Sequence, residues 1–165
     1  MPGAEDRARG LAVIDIDGVV ADVRHRLHHV RGPRARWDRF FAAAADDPPL
    51  DIGIALVAEL ARDHDVVWLS GRPEHLRAVT ERWLRRHDLP PTPLYLRRGG
   101  DYRPARVMKL ERIRALASSA PVAAIVDDDP DVVSALAGAG FPAVLADWVP
   151  HDKTLRRVQE TDGRS

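Results

Sequence analysis

Leu11-Ala12-Val13-Ile14-Asp15-Ile16-Asp17-Gly18 is the stretch on which the fold turns. A short apolar run closed by a glycine reads as a buried strand, here expected over 11–16. Two carboxylates stand at its C-terminal end, where open α/β sheets place their ligands. Asp15 and Asp17 are two residues apart, so a straight strand points both to one face. A bend at Gly18 would then turn both toward a crevice. Carboxylates held that close repel, and they call for a metal ion or a shared proton.

Outward from that run, strands and helices alternate. Ile54, Val57, Leu60 and Ala61 recur at helical spacing over 51–63, and Val66-Val67-Trp68-Leu69 is a second buried strand, ending at Ser70-Gly71-Arg72-Pro73. A helix over 74–87 groups Leu76, Val79, Thr80, Trp83 and Leu84 on one face. Leu94-Tyr95-Leu96 is a short third strand, and Gly99-Gly100-Asp101 turns the chain. The next helix, 105–117, carries Val107, Leu110, Ile113 and Leu116. A strand over 122–126 ends at Asp127-Asp128-Asp129-Pro130, and a helix near 131–138 and a strand over 142–146 complete the series. Such alternation means crossover units. The expected fold class is α/β, a three-layer Rossmann-like parallel sheet with helices on both faces.

One stretch breaks the rhythm. Residues 19–50 hold Arg24, Arg26, Arg31, Arg34, Arg36 and Arg39, three histidines, Trp37 and the pair Phe40-Phe41, and they stop at Asp46-Asp47-Pro48-Pro49. They read as a small, mostly helical cap inserted after the first strand. The domain is expected over 11–150, between a loose N-terminus (1–10) and a C-terminal tail (151–165).

Composition bounds the function. At 165 residues there is room for one sizeable core. A net charge of zero gives no global pull toward nucleic acid. The absence of cysteine excludes disulfides, thiolate zinc sites and thiol catalysis. No run is apolar and long enough to span a bilayer and no signal peptide is visible, so a cytoplasmic protein without a membrane partner is expected. Arginine outnumbers lysine 23 to two, which makes Lys109, a compact point charge, worth notice.

Parallel strands bring their C-terminal ends to one edge. That edge collects Asp15 and Asp17, then Ser70, Gly71 and Arg72, then Asp127, Asp128 and Asp129, with Lys109 on the helix entering the fourth strand. Each part has a job in phosphoryl transfer. One carboxylate can be the nucleophile and a second can protonate the leaving oxygen, then activate water. Mg²⁺ takes carboxylates and substrate phosphate. A serine hydroxyl and a lysine suit phosphoryl oxygens. Asp129 reads as a helix N-cap, and Asp127 and Asp128 as metal ligands. His25, His28 and His29 lack a completing ligand set for zinc. The arginine run would be a solvated face or, beside Trp37, a nucleotide contact.

These residues resemble the four motifs of the haloacid dehalogenase (HAD) superfamily of phosphatases: Leu11 to Val20, Trp68 to Arg72, Lys109, and Ile125 to Asp131. A narrower resemblance is to the phosphatase domain of bacteriophage polynucleotide kinase–phosphatase, which removes 3′-phosphates from nucleic acid ends. It rests on Arg26 eleven residues after Asp15, on Ser70-Gly71-Arg72, on Gly100-Asp101-Tyr102-Arg103 ahead of Lys109, and on the paired Asp127-Asp128. No kinase P-loop is present. The resemblance implies a Mg²⁺-dependent phosphomonoesterase acting through an aspartyl-phosphate. Asp15 would be the nucleophile and Asp17 the acid–base, with Ser70 and Lys109 on the phosphoryl group. By that resemblance Arg26 and Arg72 would contact substrate, and the metal would rest on Asp15, Asp17 and Asp127 or Asp128. Gly71 beside Arg72, and Trp37 through the nucleotide reading of the arginine run, are further candidate substrate contacts. A separate kinase or ligase would be a natural partner. Val19 and Ala105 depart from the pattern, where a threonine and an aspartate are usual. Two other readings stand beside this one: a phosphatase for a small non-nucleotide metabolite, and an idle domain that binds Mg²⁺ and nucleic acid ends within a repair assembly. A receiver domain orders its acidic pair, phosphorylated aspartate and lysine differently.

Overall fold

The computed structural model describes residues 9–150 together with Thr154, Arg156 and Arg157. The expected N-terminal segment, up to residue 8, and most of the expected tail lie outside the described residues. Five parallel strands form one sheet in the order β3-β2-β1-β4-β5: β1 (Leu11–Ile14), β2 (Asp65–Pro73), β3 (Leu94–Arg97), β4 (Val122–Asp127) and β5 (Ala143–Leu145). The helices are α1 (Trp37–Ala42), α2 (Asp51–Asp63), α3 (Arg77–Arg86), α4 (Ala105–Ala117) and α5 (Pro130–Gly138). No helix among the described residues is long and apolar enough to cross a membrane.

Strand alternation builds two cores from one sheet. Ala12, Ile14, Val66, Trp68 and Val126 face a cluster closed by Val57 of α2 and by Trp83 and Leu84 of α3. Val13, Leu69 and Ile125 face the opposite cluster, closed by Met108 and Ile113 of α4 and by Val132 and Leu136 of α5. The expected three layers are therefore present, and Trp68 and Trp83 are core residues.

Differences lie at element ends and faces. β1 stops at Ile14, because Asp15 N makes the last ladder bond to Val126 O (2.9 Å) and the Ile16 carbonyl then accepts from Val19, Val20 and Ala21. β2 runs on through Ser70-Gly71-Arg72 to Pro73, which pairs with Arg97 after a register shift. On α4 the buried residues are Ala105, Met108, Lys109 and Ile113, while Val107 is exposed. The helix is turned so that its lysine, not Val107, faces the sheet. Within 19–50, the insert is helical: a 3₁₀ segment (Arg24–Val30), α1 and a second 3₁₀ segment (Ala43–Asp46). Val23, Leu27, Val30 and Phe40 give it a small apolar cluster of its own.

Candidate active site

The sheet order reverses at β1, so β1 and β4 are neighbours although the chain passes through β2 and β3 between them. Such a switch point opens a crevice at the strands' carboxyl ends. Asp15 follows Val13 by two, and Asp127 follows Ile125 by two, so both side chains leave on the α4 face. Lys109 reaches them from α4. Its Nζ donates to Asp127 Oδ2 at 2.6 Å and lies 3.2 Å from Asp15 Oδ2. All three residues are buried. Burial works against the Lys109 charge, but the Asp127 and Asp15 carboxylates more than offset it and raise its pKa. Asp127 Oδ1 accepts from Asp129 N at 3.0 Å, so both of its oxygens are engaged.

The two aspartates of the first motif part company. Asp15 keeps the strand's alternation and meets Lys109, whereas Asp17 lies past the ladder, in the turn that starts at Ile16, and meets a pair of arginines. Arg72 donates to Asp17 Oδ1 from Nε (2.9 Å) and Nη2 (2.7 Å), and Arg26 donates from Nη2 at 3.4 Å. The same guanidiniums meet on Asp47: Arg26 Nε at 2.7 Å from Oδ1, Arg26 Nη2 at 3.0 Å and Arg72 Nη2 at 2.8 Å from Oδ2. His25 Nε2 lies 2.7 Å from Asp47 Oδ1, and Trp83 Nε1 donates to the Asp47 carbonyl at 2.8 Å. Arg26 also stacks over Phe40, 4.3 Å from the ring centroid. Asp47 is buried and joins the insert to β2. The sequence marks it only as part of a helix stop, since its partners come from distant segments.

These charges divide the site into two electrostatic halves. Burial pushes the Asp15 carboxyl up to about 7, with Asp127 and Asp17 adding to the rise and Lys109 opposing it. Burial and the neighbouring Asp15 and Asp127 carboxylates raise Asp128 well above its ordinary value. Asp17 is buried too, but Arg72 and Arg26 outweigh the burial and hold it below the usual carboxylate range.

Asp15, Asp127 and Asp128 each offer a carboxylate oxygen within 4.8 Å of the others, a set that fits a hard divalent cation. Asp128 Oδ1 is buried and has no hydrogen-bond partner among the described residues. Gly18 makes room for this aspartate: its φ is +76°, and a Cβ there would stand 2.1 Å from Asp128 Oδ2.

The other expected residues are placed as follows. Ser70 is buried, and its hydroxyl accepts from Arg72 N at 3.1 Å. The Gly71 carbonyl accepts from Arg97 Nε at 3.3 Å. Asp129 caps α5, accepting from Asp131 N at 2.9 Å. Trp37 is not part of the charged cluster; its ring packs against Phe40 and Phe41, each 5.8 Å away between centroids. Val19 and Ala105 are both buried, and Trp148 Nε1 donates to the Val19 carbonyl at 3.0 Å.

Comparison with known proteins gives a family and a fold. The polynucleotide kinase PNKP phosphatase domain family matches residues 10–145. No curated protein sequence matches. Among solved structures, a chain of the Pnkp1/Rnl/Hen1 RNA repair complex is similar with a TM-score of 0.68 and 21% identity, over 87% of this chain and 44% of that one. A class C acid phosphatase from Bacillus anthracis with tungstate bound is similar at 0.62 and 18%, over 83% and 66%. The HAD-hydrolase YfnB from Bacillus subtilis is similar at 0.58 and 11%, over 83% and 88%. These likenesses are of fold, and the chain spans less than half the length of the RNA-repair chains it matches (44% and 48%).

Proposed function

The chain belongs to the polynucleotide kinase PNKP phosphatase domain family, HAD-type phosphatases, and from that premise we propose that it removes phosphate from a nucleotide or from the 3′ end of a nucleic acid, with Mg²⁺. The observation that carries this reading is the buried Lys109 bridge between Asp15 and Asp127, set beside an Asp17 gripped by two arginines.

Asp15 is the nucleophile. Its carboxylate attacks phosphorus in line, a P–O bond forms to Asp15, and the bond to the leaving oxygen breaks. Lys109 offsets negative charge on Asp15 and on the transferred group, and Ser70 contributes a hydroxyl for a phosphoryl oxygen. Asp17 protonates the leaving oxygen and later takes a proton from the water that hydrolyses the aspartyl-phosphate. An ionised Asp17 cannot donate, so the acid role needs a rise in its pKa. The arginines supply the means. A phosphate dianion drawn to Arg26 and Arg72 competes with Asp17 for their charge, which lets Asp17 hold a proton when substrate is present.

Asp15, the Asp17 carbonyl and Asp128 would hold the metal ion. Asp128 is chosen over Asp127 because Asp127 has both oxygens engaged, whereas Asp128 Oδ1 has none of the described groups as partner. Bound there, the ion would neutralise charge among the carboxylates and polarise the phosphoryl group. A natural setting is an RNA or DNA end-repair assembly, with a kinase or ligase on separate segments or chains. The segment 19–50 acts as a cap within a single phosphatase domain over 11–150.

The test is phosphate release from a 3′-phosphorylated oligonucleotide and from 3′- and 5′-mononucleotides, with Mg²⁺ or EDTA. Release that needs metal and is lost in Asp15→Asn is the expected result. Turnover of sugar phosphates alone would refute the nucleic acid assignment.

A further inference from the structure

Beside the second motif lies a cleft of about 210 Å³ that the reaction as described does not use. Phe41 of α1 and His75 form one wall, their rings 5.5 Å apart and nearly perpendicular. Pro73, one residue after Arg72, also lines the cleft. Arg97, Arg98 and Tyr102, from the end of β3 and the loop after it, form the other side. Resting on the function proposed above, we propose that this cleft is a stacking subsite for the base of the nucleotide that carries the scissile phosphate, with Tyr102 as the platform.

Tyr102 is 62% exposed. Yet the backbone on either side of it is pinned. Arg97 Nη1 donates to the carbonyls of Asp101 (3.2 Å) and Arg103 (2.7 Å), the two residues flanking Tyr102. The Asp101 carboxylate accepts from Arg103 N (3.2 Å) and from its Nε and Nη2 (2.9 and 2.8 Å). An exposed ring on a pinned loop costs little ordering entropy to engage, which is the property of a binding platform.

The cleft is tied to the chemistry through Arg97, whose Nε donates to Gly71 O of the second motif. Arg97 Nη2 is buried and has no partner among the described residues. A buried donor left in that state wants an acceptor, and base carbonyls and ring nitrogens are acceptors. Arg98 is exposed beside it and suits the next phosphate. The Asp101 carboxylate, also at the cleft, is neutralised by Arg103. The volume is below the roughly 300–1,000 Å³ of pockets for drug-sized ligands, which fits one ring system rather than a whole dinucleotide.

The test compares kcat/KM on a 3′-phosphorylated oligonucleotide with kcat/KM on the same oligonucleotide bearing an abasic terminal residue. Tyr102→Ala should lose roughly 5- to 150-fold on the base-bearing end, the kinetic equivalent of ~1–3 kcal/mol of stacking, and almost nothing on the abasic end. Tyr102→Trp should retain activity on both. Equal loss on both ends, or loss on neither, overturns the subsite. A second readout does not need turnover. Fluorescence of 2-aminopurine at the terminal position should be quenched on binding to Asp15→Asn, and the quench should vanish when Tyr102→Ala is added. Tyr102-dependent quenching without hydrolysis would leave the subsite standing and sink the end-phosphatase reading. Hydrolysis without Tyr102 dependence in either readout would sink the subsite alone. Absence of both hydrolysis and quenching would sink both.

Discussion

Asp47 shows what a single buried carboxylate does for a site it does not belong to chemically. With Asp17 it shares two guanidiniums, so two negative and two positive charges sit in a common buried network. Asp47→Asn removes one negative charge and leaves Arg26 and Arg72 with Asp17 alone. Breaking such a buried pair costs roughly 3–5 kcal/mol, and a chain of this size should lose about 10 °C in Tm. Its effect on chemistry should be distinct from that loss. Two undercompensated arginines hold Asp17 more tightly as the anion, so the pH dependence of kcat should move to lower pH. A lower Tm with an unmoved pH profile would restrict Asp47 to folding. The sequence displays Asp15, Asp17, Ser70 and the Asp127–Asp129 cluster because strand ends carry them, and Lys109, on α4, because lysine is rare in this chain. It does not display Asp47, because Arg26, Asp47 and Arg72 share no period or spacing and meet only after the insert folds against β2.

At the scale of elements, α2 sits closer to the first motif than an ordinary helix could. A Cβ on Gly53 would stand 1.7 Å from the Val19 carbonyl oxygen and 2.7 Å from its carbonyl carbon, backbone atoms that cannot rotate away. In most helix interiors Gly→Ala stabilises by up to ~1 kcal/mol. Here the sign should reverse: Gly53→Ala should destabilise by roughly 1–3 kcal/mol and lower kcat, because the turn it displaces follows directly on Asp17. Thermal unfolding together with steady-state kinetics checks this, and a stabilised, fully active Gly53→Ala protein would contradict it. That contact is invisible in sequence, where Gly53 is one more residue in a helical pattern. What sequence does reveal is the element series itself. α2 and α4 have the expected bounds, and β4 extends one residue further, because apolar periodicity survives burial on a two-faced sheet. The face of α4 is another matter. Periodicity selects Val107, but the helix is rotated to bury Lys109 between two carboxylates, an electrostatic choice that outweighs one valine.

The molecule as a whole folds by driving like charges together. Its strand order places Asp15 from one end of the chain against Asp127 and Asp128 from the other, with one lysine among them. The consequence is a pH-dependent stability with opposing signs. Asp15 has a folded-state pKa raised to about 7, so the stability it contributes is present in acid and lost as pH rises through 7, and Asp128, raised as well, acts in the same direction. Asp17, held low by its arginines, contributes in the other direction and loses its stabilisation only in acid. A cation that needs ionised carboxylates binds the native state alone and competes with those protons. Adding Mg²⁺ should therefore raise Tm far more at pH 8 than at pH 5.5, where Asp15 is largely protonated. At a Mg²⁺ concentration 100 times its Kd the gain is about 2.7 kcal/mol, or roughly 5–10 °C, and EDTA should reverse it. Asp128→Asn should abolish most of the Mg²⁺ gain and raise the metal-free Tm at pH 8, since the repulsion that the ion relieves is then absent. Calorimetry of both proteins at the two pH values reads this directly, and an equal Mg²⁺ shift at pH 5.5 and pH 8 would place the ion elsewhere than among these carboxylates.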